Sequence, residues 1–312
     1  MTPFPLVLRG LELYDLADAR FTPLGGSDNL NYRIDALSGS YALHLHISPH
    51  HTQESLLAEM TWLGELSLDT TVAVPEPVPS SRGALVETVK ADDGKTVPCT
   101  LTVWVEGKVP PTIDFMTDAQ LEQVGALMAR LQTHSQRFSP SLQAEYRTYA
   151  APYYRDRLRT LVPVLESSVT EDKLTRFRLA AEAIFTRLDG MAHEQKSFGI
   201  IHGDFHSGNY LVHGDEIRLI DFNRCGLGFY LFDLSLALME LEEPRRGTIL
   251  HGYETVSPLP LGYHELNRVF LALAYLDNLG TLAANPNEWE FIRGDSSLLF
   301  GAFQEATELD SF

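Results

Sequence analysis

Apolar and polar residues alternate at a period of two over Tyr32-Arg33-Ile34 and again over Tyr41 to His46. With a turn at Ser38-Gly39 between them, this predicts two antiparallel strands, preceded by a strand over Phe21 to Leu24. The period then lengthens: Leu56, Leu57, Met60 and Leu63 recur at helical spacing, so a helix is expected from Ser48-Pro49 to about Leu66. Val72 to Pro79 is too rich in proline for a helix, and Ala84 to Val89 with Thr96 to Val105 predicts a hairpin turning at Asp92-Asp93-Gly94. A short helix is also expected over Leu11 to Ala19.

Past Trp104-Val105-Glu106-Gly107 the pattern turns helical. Residues 119–132 carry Leu121, Val124, Leu127, Met128 and Leu131 on one face, with Thr117 and Asp118 as caps. Further helices are expected over 150–166, 171–193, 229–241, 263–282 and 291–308. A β-rich amino-terminal lobe over residues 1–104 and a larger helical carboxyl-terminal lobe over 105–312 follow, an α+β architecture with no internal repeat.

The 312 residues, 44% apolar, suffice for a real core in two such lobes. A formal charge of −18, with no cluster of five or more Lys or Arg, argues against a nucleic-acid partner. The same charge serves solubility, and read functionally it would attract a cationic substrate. Cys99 and Cys225 have no metal-like spacing, and no membrane-length apolar stretch or export signal is evident, so a reduced cytoplasmic setting is expected.

The most informative stretch interrupts the helical half. Residues 200–223, I-I-H-G-D-F-H-S-G-N-Y-L-V-H-G-D-E-I-R-L-I-D-F-N, predict a short strand, a loop bearing Asp204 and Asn209, and a hairpin through Gly214-Asp215. The hairpin returns Asp221 to the vicinity of Asn209. Carboxylates beside buried strands call for a cation or donors, so these three side chains are candidates to hold a divalent cation or a hydroxyl proton.

H-G-D-F-H-S-G-N at 202–209 and I-D-F at 220–222, downstream of G-G-S-D-N-L-N-Y at 25–32, resemble the aminoglycoside phosphotransferase and choline kinase branch of the protein-kinase-like fold. The resemblance spans nearly the whole chain in lobe order, with its specific matches between residues 200 and 236. It implies transfer of a γ-phosphate from ATP or GTP to a hydroxyl of a small molecule, an acceptor that can carry a cationic group. Asp204 would be the catalytic base, and Asn209 and Asp221 would hold Mg2+. Gly25, Gly26, Ser27 and Asn29 would cover the phosphates, with Asp28 at the tip of that turn. Trp104 and Val105 would meet the base.

Where relatives place Lys or Arg this chain has His44, with Glu59 as its helical partner; a carboxylate there would restore part of the missing charge. His202 is expected to brace the loop, His206 to approach the acceptor or a phosphate, and Asp233 to hydrogen-bond the loop backbone. Asn223 stands where an acidic residue is frequent. Tyr153, Tyr154, Glu242 and Glu243 are candidate acceptor contacts. The same motifs also suit a protein Ser/Thr kinase, and His44 suits a nucleotide-binding pseudo-kinase.

Overall fold

A computed structural model describes residues 3–25, 29–48, 51–69, 72–138 and 145–308. In chain order the elements are α1 (Pro3–Glu12), β1 (Arg20–Gly25), β2 (Leu30–Ala36), β3 (Gly39–Leu45), α2 (Gln53–Asp69), β4 (Glu87–Lys90) and β5 (Thr96–Val103). Next come α3 (Asp118–Ser135), β6 (Arg147–Thr148), α4 (Ala151–Leu165), α5 (Glu171–Asp189), β7 (Phe198–Ile201), β8 (Tyr210–His213) and β9 (Glu216–Leu219). The chain closes with β10 (Gly226–Phe229), α6 (Tyr230–Met239), α7 (Arg245–Glu254), α8 (Tyr263–Leu282) and α9 (Trp289–Glu308). This is the α+β, two-lobed protein-kinase-like fold, with a small β-rich part and a larger helical part.

Two compact units divide the chain. The first comprises Met1–Pro110, Arg137–Tyr146 and Asn209–Asn223. Its sheet runs β1-β2-β3-β5-β4, antiparallel throughout. The period of two sends Ile34, Leu43, Leu45 and Leu101 into a core that α1 covers with Leu6, Val7 and Leu11. Each such side chain contributes roughly 1.5–3 kcal/mol when fully buried. The intervening residues Asn31, Ala42 and His44 therefore belong to the opposite face. The β8–β9 hairpin is part of this unit: Leu219 N–H donates to Ala73 O at 3.3 Å, and Phe222 meets Trp62 of α2 edge-on with ring centroids 5.5 Å apart.

Two expected boundaries are corrected. The first helix spans Pro3–Glu12 rather than Leu11–Ala19, because Pro3 and Pro5 sit in its first turn, where their missing N–H groups cost nothing. Helix α2 opens at Gln53, not at Ser48-Pro49: Ser55 N–H donates to Thr52 Oγ1 and Thr52 N–H to Ser55 Oγ, both at 3.1 Å, a reciprocal cap. Pro49 lies outside the described residues.

The second unit comprises Pro111–Gln136, Arg147–Gly208 and Arg224–Phe312. Helix α3 begins with the capping box Thr117/Gln120 and packs on α7. The approach requires two glycines, since a Cβ on Gly125 would lie 1.9 Å from Ile249 O and one on Gly252 2.0 Å from Glu122 O. Helix α8 packs against α4, α6 and α9. Strand β10 joins β6 in parallel and β7 antiparallel, a small sheet from whose β7 edge the loop at 202–208 leaves. Among the described residues no helix is long and apolar enough to cross a membrane.

Candidate active site

The first unit holds a cavity of about 490 Å³. Gly25 lines it at the end of β1 and Asn29 just before β2, Ala42 and His44 line it from the polar face of β3, and His46 lines it just beyond that strand. Trp104, Val105 and Gly107 close it where β5 ends; Glu59 of α2 and Asp221 are its only charged lining residues among those described. Gly26, Ser27 and Asp28 lie outside the described residues. The Arg33 guanidinium lies 4.7 Å from the centre of the half-buried Trp104 ring, and Trp104 N–H donates to Ser40 O at 3.0 Å. Asn223 also lines the cavity.

Two buried atoms at this cavity, Asn29 Oδ1 and His46 Nδ1, have no hydrogen-bond partner among the described residues. Buried polar atoms are costly to leave unpaired, so the wall is made for a polar ligand.

His44 does not pair with Glu59. Its Nδ1 lies 2.9 Å from Asn31 Oδ1, across the β2–β3 ladder where the two residues are in register. Burial lowers the imidazole pKa to about 4, so the ring is neutral near pH 7, and the expected rescue of charge by Glu59 is corrected. Burial likewise pushes His46 well below its usual value, helped by His44 and His51.

Asn209 and Asp221 are brought together by the β8–β9 hairpin: Ile220 N–H donates to Asn209 O at 3.0 Å. Asp221 has φ +64°, a left-handed conformation that a non-glycine residue adopts at a cost of roughly 1 kcal/mol or more. An amide oxygen and a carboxylate are hard donors. They fit Mg2+, which takes one or two protein ligands and completes its shell with phosphate oxygens and water.

In the second unit, Asp204 sits in the loop after β7. Both carboxylate oxygens of the buried Asp233, on α6, accept backbone N–H groups of that loop, from His202 at 2.7 Å and Gly203 at 2.8 Å. Burial raises the Asp233 pKa to about 7 against these two donors. His202 is fully buried and its Nδ1 accepts Asp204 N–H at 3.2 Å, so it braces the turn. Gly203 has φ +77°, and a Cβ there would lie 2.3 Å from the Tyr149 hydroxyl. Glu240 holds the following turn, accepting Ser207 N–H at 2.7 Å and Ser207 Oγ–H at 2.9 Å.

The Asp204 carboxylate itself is fixed from two sides. Arg224 Nη1 donates to Oδ1 at 3.0 Å, and His206 Nε2 lies 3.4 Å from Oδ2. Burial would raise the Asp204 pKa, but His206, Arg224 and His202 outweigh it and hold the group well below the usual carboxylate range. Arg224 is held in turn by Asp277 of α8, at 2.5 Å, and Asp277 also accepts from Arg157 Nε at 3.1 Å and the Tyr153 hydroxyl at 2.5 Å. The Tyr149 hydroxyl donates to Arg224 O at 2.6 Å.

Sequence reasoning missed Arg224, Asp277 and Arg157. One signal was available, a lone aspartate in the otherwise apolar run L-A-L-A-Y-L-D-N-L-G, since a carboxylate at such a position must be paired. Of the expected acceptor contacts, Tyr154 is a core residue, 1% exposed, and Tyr153 belongs to the Asp277 network. Glu242 and Glu243 are exposed between α6 and α7.

An uncharacterized protein of Synechocystis sp. is 27% identical to this chain over 263 residues, 81% of this chain and 70% of that protein. Amicoumacin kinase of Bacillus subtilis is 22% identical over 215 residues, 69% of this chain and 61% of the kinase. Among solved structures, a microcompartment-associated aminopropanol kinase superposes with a TM-score of 0.82 at 22% identity, covering 98% of both chains. An amicoumacin kinase in complex with AMP-PNP, Ca2+ and Ami follows at 0.78 and 19% identity, covering 99% of this chain and 94% of that one. These likenesses bear on the fold. The description "phosphotransferase enzyme family" belongs to the family model that matches residues 20–266, and with most of its length so matched this chain is a member of the phosphotransferase enzyme family.

Proposed function

We propose that this phosphotransferase moves the γ-phosphoryl group of ATP, or of GTP in its place, to a hydroxyl of a small molecule. The observation that carries the reading is the fixed Asp204 carboxylate, five residues ahead of Asn209, with Asp221 returned to Asn209 by the hairpin. Phosphoryl transfer asks little covalent work of a protein, so positioning and charge neutralisation dominate. The acceptor oxygen forms a bond to the γ-phosphorus as the bond to the β-phosphate oxygen breaks, and the nucleoside diphosphate leaves. A carboxylate held ionised so firmly is a weak base in the ground state; Asp204 orients the hydroxyl and takes its proton late.

Asn209 and Asp221 would hold Mg2+, which would neutralise phosphate charge. The cavity of the first unit would take the nucleotide, its base toward Trp104 and Val105 and its phosphates toward Gly25, Asn29 and His44. The solved relative with bound AMP-PNP supports this assignment.

The test is ADP release by purified protein with Mg2+, ATP or GTP, and a panel of small alcohols. Acceptor-dependent release, lost about a thousandfold in Asp204→Asn while the nucleotide still raises the melting temperature, is the expected result. No acceptor dependence together with no nucleotide-induced shift would refute the proposal. A second reading, nucleotide binding without catalysis, is favoured by one observation: no Lys or Arg is among the described cavity residues. His44→Lys separates the two, raising turnover of a weak enzyme and leaving a pure binder silent.

A further inference from the structure

The cavity of the first unit has the wrong sign for a nucleotide. Its charged lining residues among those described, Glu59 and Asp221, are both acids. Residues 26–28, between β1 and β2, are Gly, Ser and Asp, so they bring no cation either. One Mg2+ does no more than balance the two carboxylates. The phosphates are then left without a matching positive charge on this wall, although anionic oxygens are held best by charged donors.

His44 is built to supply that charge. It lines the cavity from β3, and its Nδ1 lies 2.9 Å from Asn31 Oδ1. An amide oxygen accepts and cannot donate, so Nδ1 carries the proton of the neutral ring. The other nitrogen, Nε2, is then a bare lone pair, and among the described residues it has no hydrogen-bond partner. A lone pair repels a phosphate oxygen; a second proton turns the same atom into a charged donor and leaves the Asn31 contact intact. His46, whose ring is stacked on His44 at 6.2 Å, is not the better choice. It is 4% exposed, and because the Thr100 hydroxyl can donate to its Nε2 at 2.9 Å, its unpaired Nδ1 can offer an N–H while the ring stays neutral. The remaining titratable neighbours are His51, 5.3 Å from His46, with Glu59 of α2 and Asp221 on the same wall; β2 and β5 set Asn31 and Thr100 beside His44, and neither titrates.

We propose that His44 holds the nucleotide phosphates as an imidazolium, taking onto Nε2, when the nucleotide binds, a solvent proton that it lacks in the free protein. This rests on the kinase reading above and deepens it: a permanent cation is replaced by one that the ligand induces. Burial keeps the ring neutral in the free protein, with a pKa of about 4. Anionic oxygens within about 4–6 Å favour the charged ring by roughly tenfold to a thousandfold, which carries its titration in the complex to about 5–7. The bound state then holds more protons than the free state between those values, so nucleotide affinity rises as the pH falls through them and is flat above.

Titration calorimetry with Mg2+ and ADP, which cannot be turned over, counts the proton when it is run in two buffers of different ionisation enthalpy. At pH 5.5 the native chain should take up about a quarter of a proton or more beyond what His44→Gln takes up, and at pH 8 the excess should vanish. His44→Lys, already charged, should bind at pH 8 at least as tightly as the native chain and show no excess at either pH. Adenosine, which has no phosphate, should bind without the excess. Long-range 15N spectra of the histidine rings read the same event in the native chain alone: His44 should pass from one attached proton to two on addition of Mg2+ and ADP at pH 5.5. Nucleotide binding with equal proton uptake in the native chain and both variants, or with the His44 ring still neutral at pH 5.5, would overturn the inference and leave the kinase reading standing. Absence of binding by both ADP and AMP-PNP would remove the two together.

Discussion

Asp277→Asn tests whether the Asp204 carboxylate, the proposed base, is positioned from a helix some seventy residues further along the chain. Asp277 is 1% exposed and is held by Arg224 at 2.5 Å and Arg157 at 3.1 Å. At an effective dielectric near 20, each such contact is worth roughly 5 kcal/mol before desolvation is counted. Asparagine keeps the volume and removes the charge, leaving two guanidinium groups without their shared anion. Breaking a buried pair in this way costs about 3–5 kcal/mol, which lowers the melting temperature by several degrees. The kinetic effect is separable from the loss of stability. Arg224 then has only Asp204 as a carboxylate partner, so kcat for acceptor phosphorylation should fall at least tenfold at a temperature where the variant is fully folded. Differential scanning calorimetry with steady-state kinetics at 15 °C measures both. Arg157→Gln should also cost less in the Asp277→Asn background than in the native chain, because the partner is already gone. A melting temperature within one degree of native, or kcat within twofold, would refute the view that Asp277 holds Arg224 in place.

His44 gives a pH signature. Its folded pKa of about 4 lies below the ordinary 6.5, so between those values the unfolded chain binds more protons. Its contribution, about 1–3 kcal/mol, is therefore complete above pH 6.5 and lost as the pH falls toward 4; His44→Gln should flatten the melting temperature over that range, and an unchanged slope would count against it. Gly203→Ala should destabilise by about 2–4 kcal/mol in urea unfolding, because the new Cβ meets the Tyr149 hydroxyl and Arg224 O, whereas Gly214→Ala, at φ +61° with nothing within 4 Å, should cost only about 1 kcal/mol. Equal costs would remove the steric explanation. Asp233→Asn loses one of two backbone acceptors, so about 1–3 kcal/mol and faster hydrogen exchange at His202 or Gly203 are expected; native exchange rates at both would refute its role as a brace.

Much of this was legible in the sequence because the signals were local. The alternation in β2 and β3, the stripe in α3 and the G-D turn between β8 and β9 each follow from residues within a few positions of one another. Helix α7 was missed because R-R-G-T-I-L-H-G-Y-E carries two glycines and few apolar residues; its stability comes from packing on α3, which only the folded chain reveals. Strand β10, G-L-G-F, reads as a loop, yet its glycines are needed where β6 and Ile201 press against it. The network behind Asp204 escaped for a different reason. Arg224, Asp277 of α8 and the α4 pair Tyr153 and Arg157 are far apart in sequence and meet only in the folded chain, so no spacing rule connects these three places. The missing cation was legible as His44, but its neutral state was not, since burial and the Asn31 contact decide it.

The first unit is assembled from three separated stretches of chain, and this dictates an order of events during synthesis. When residue 110 has been made, the sheet is complete in sequence but Trp62 still lacks Phe222 and Lys108 still lacks the Val212 backbone that it pairs with. Those partners emerge more than a hundred residues later, after α3, α4 and α5 have been translated. The contacts of this unit with the hairpin that carries Asn209 and Asp221 can therefore form only after α3, α4 and α5 have been translated. A chain interrupted before residue 209 lacks both the hairpin contacts of that unit and the two metal-binding candidates it carries.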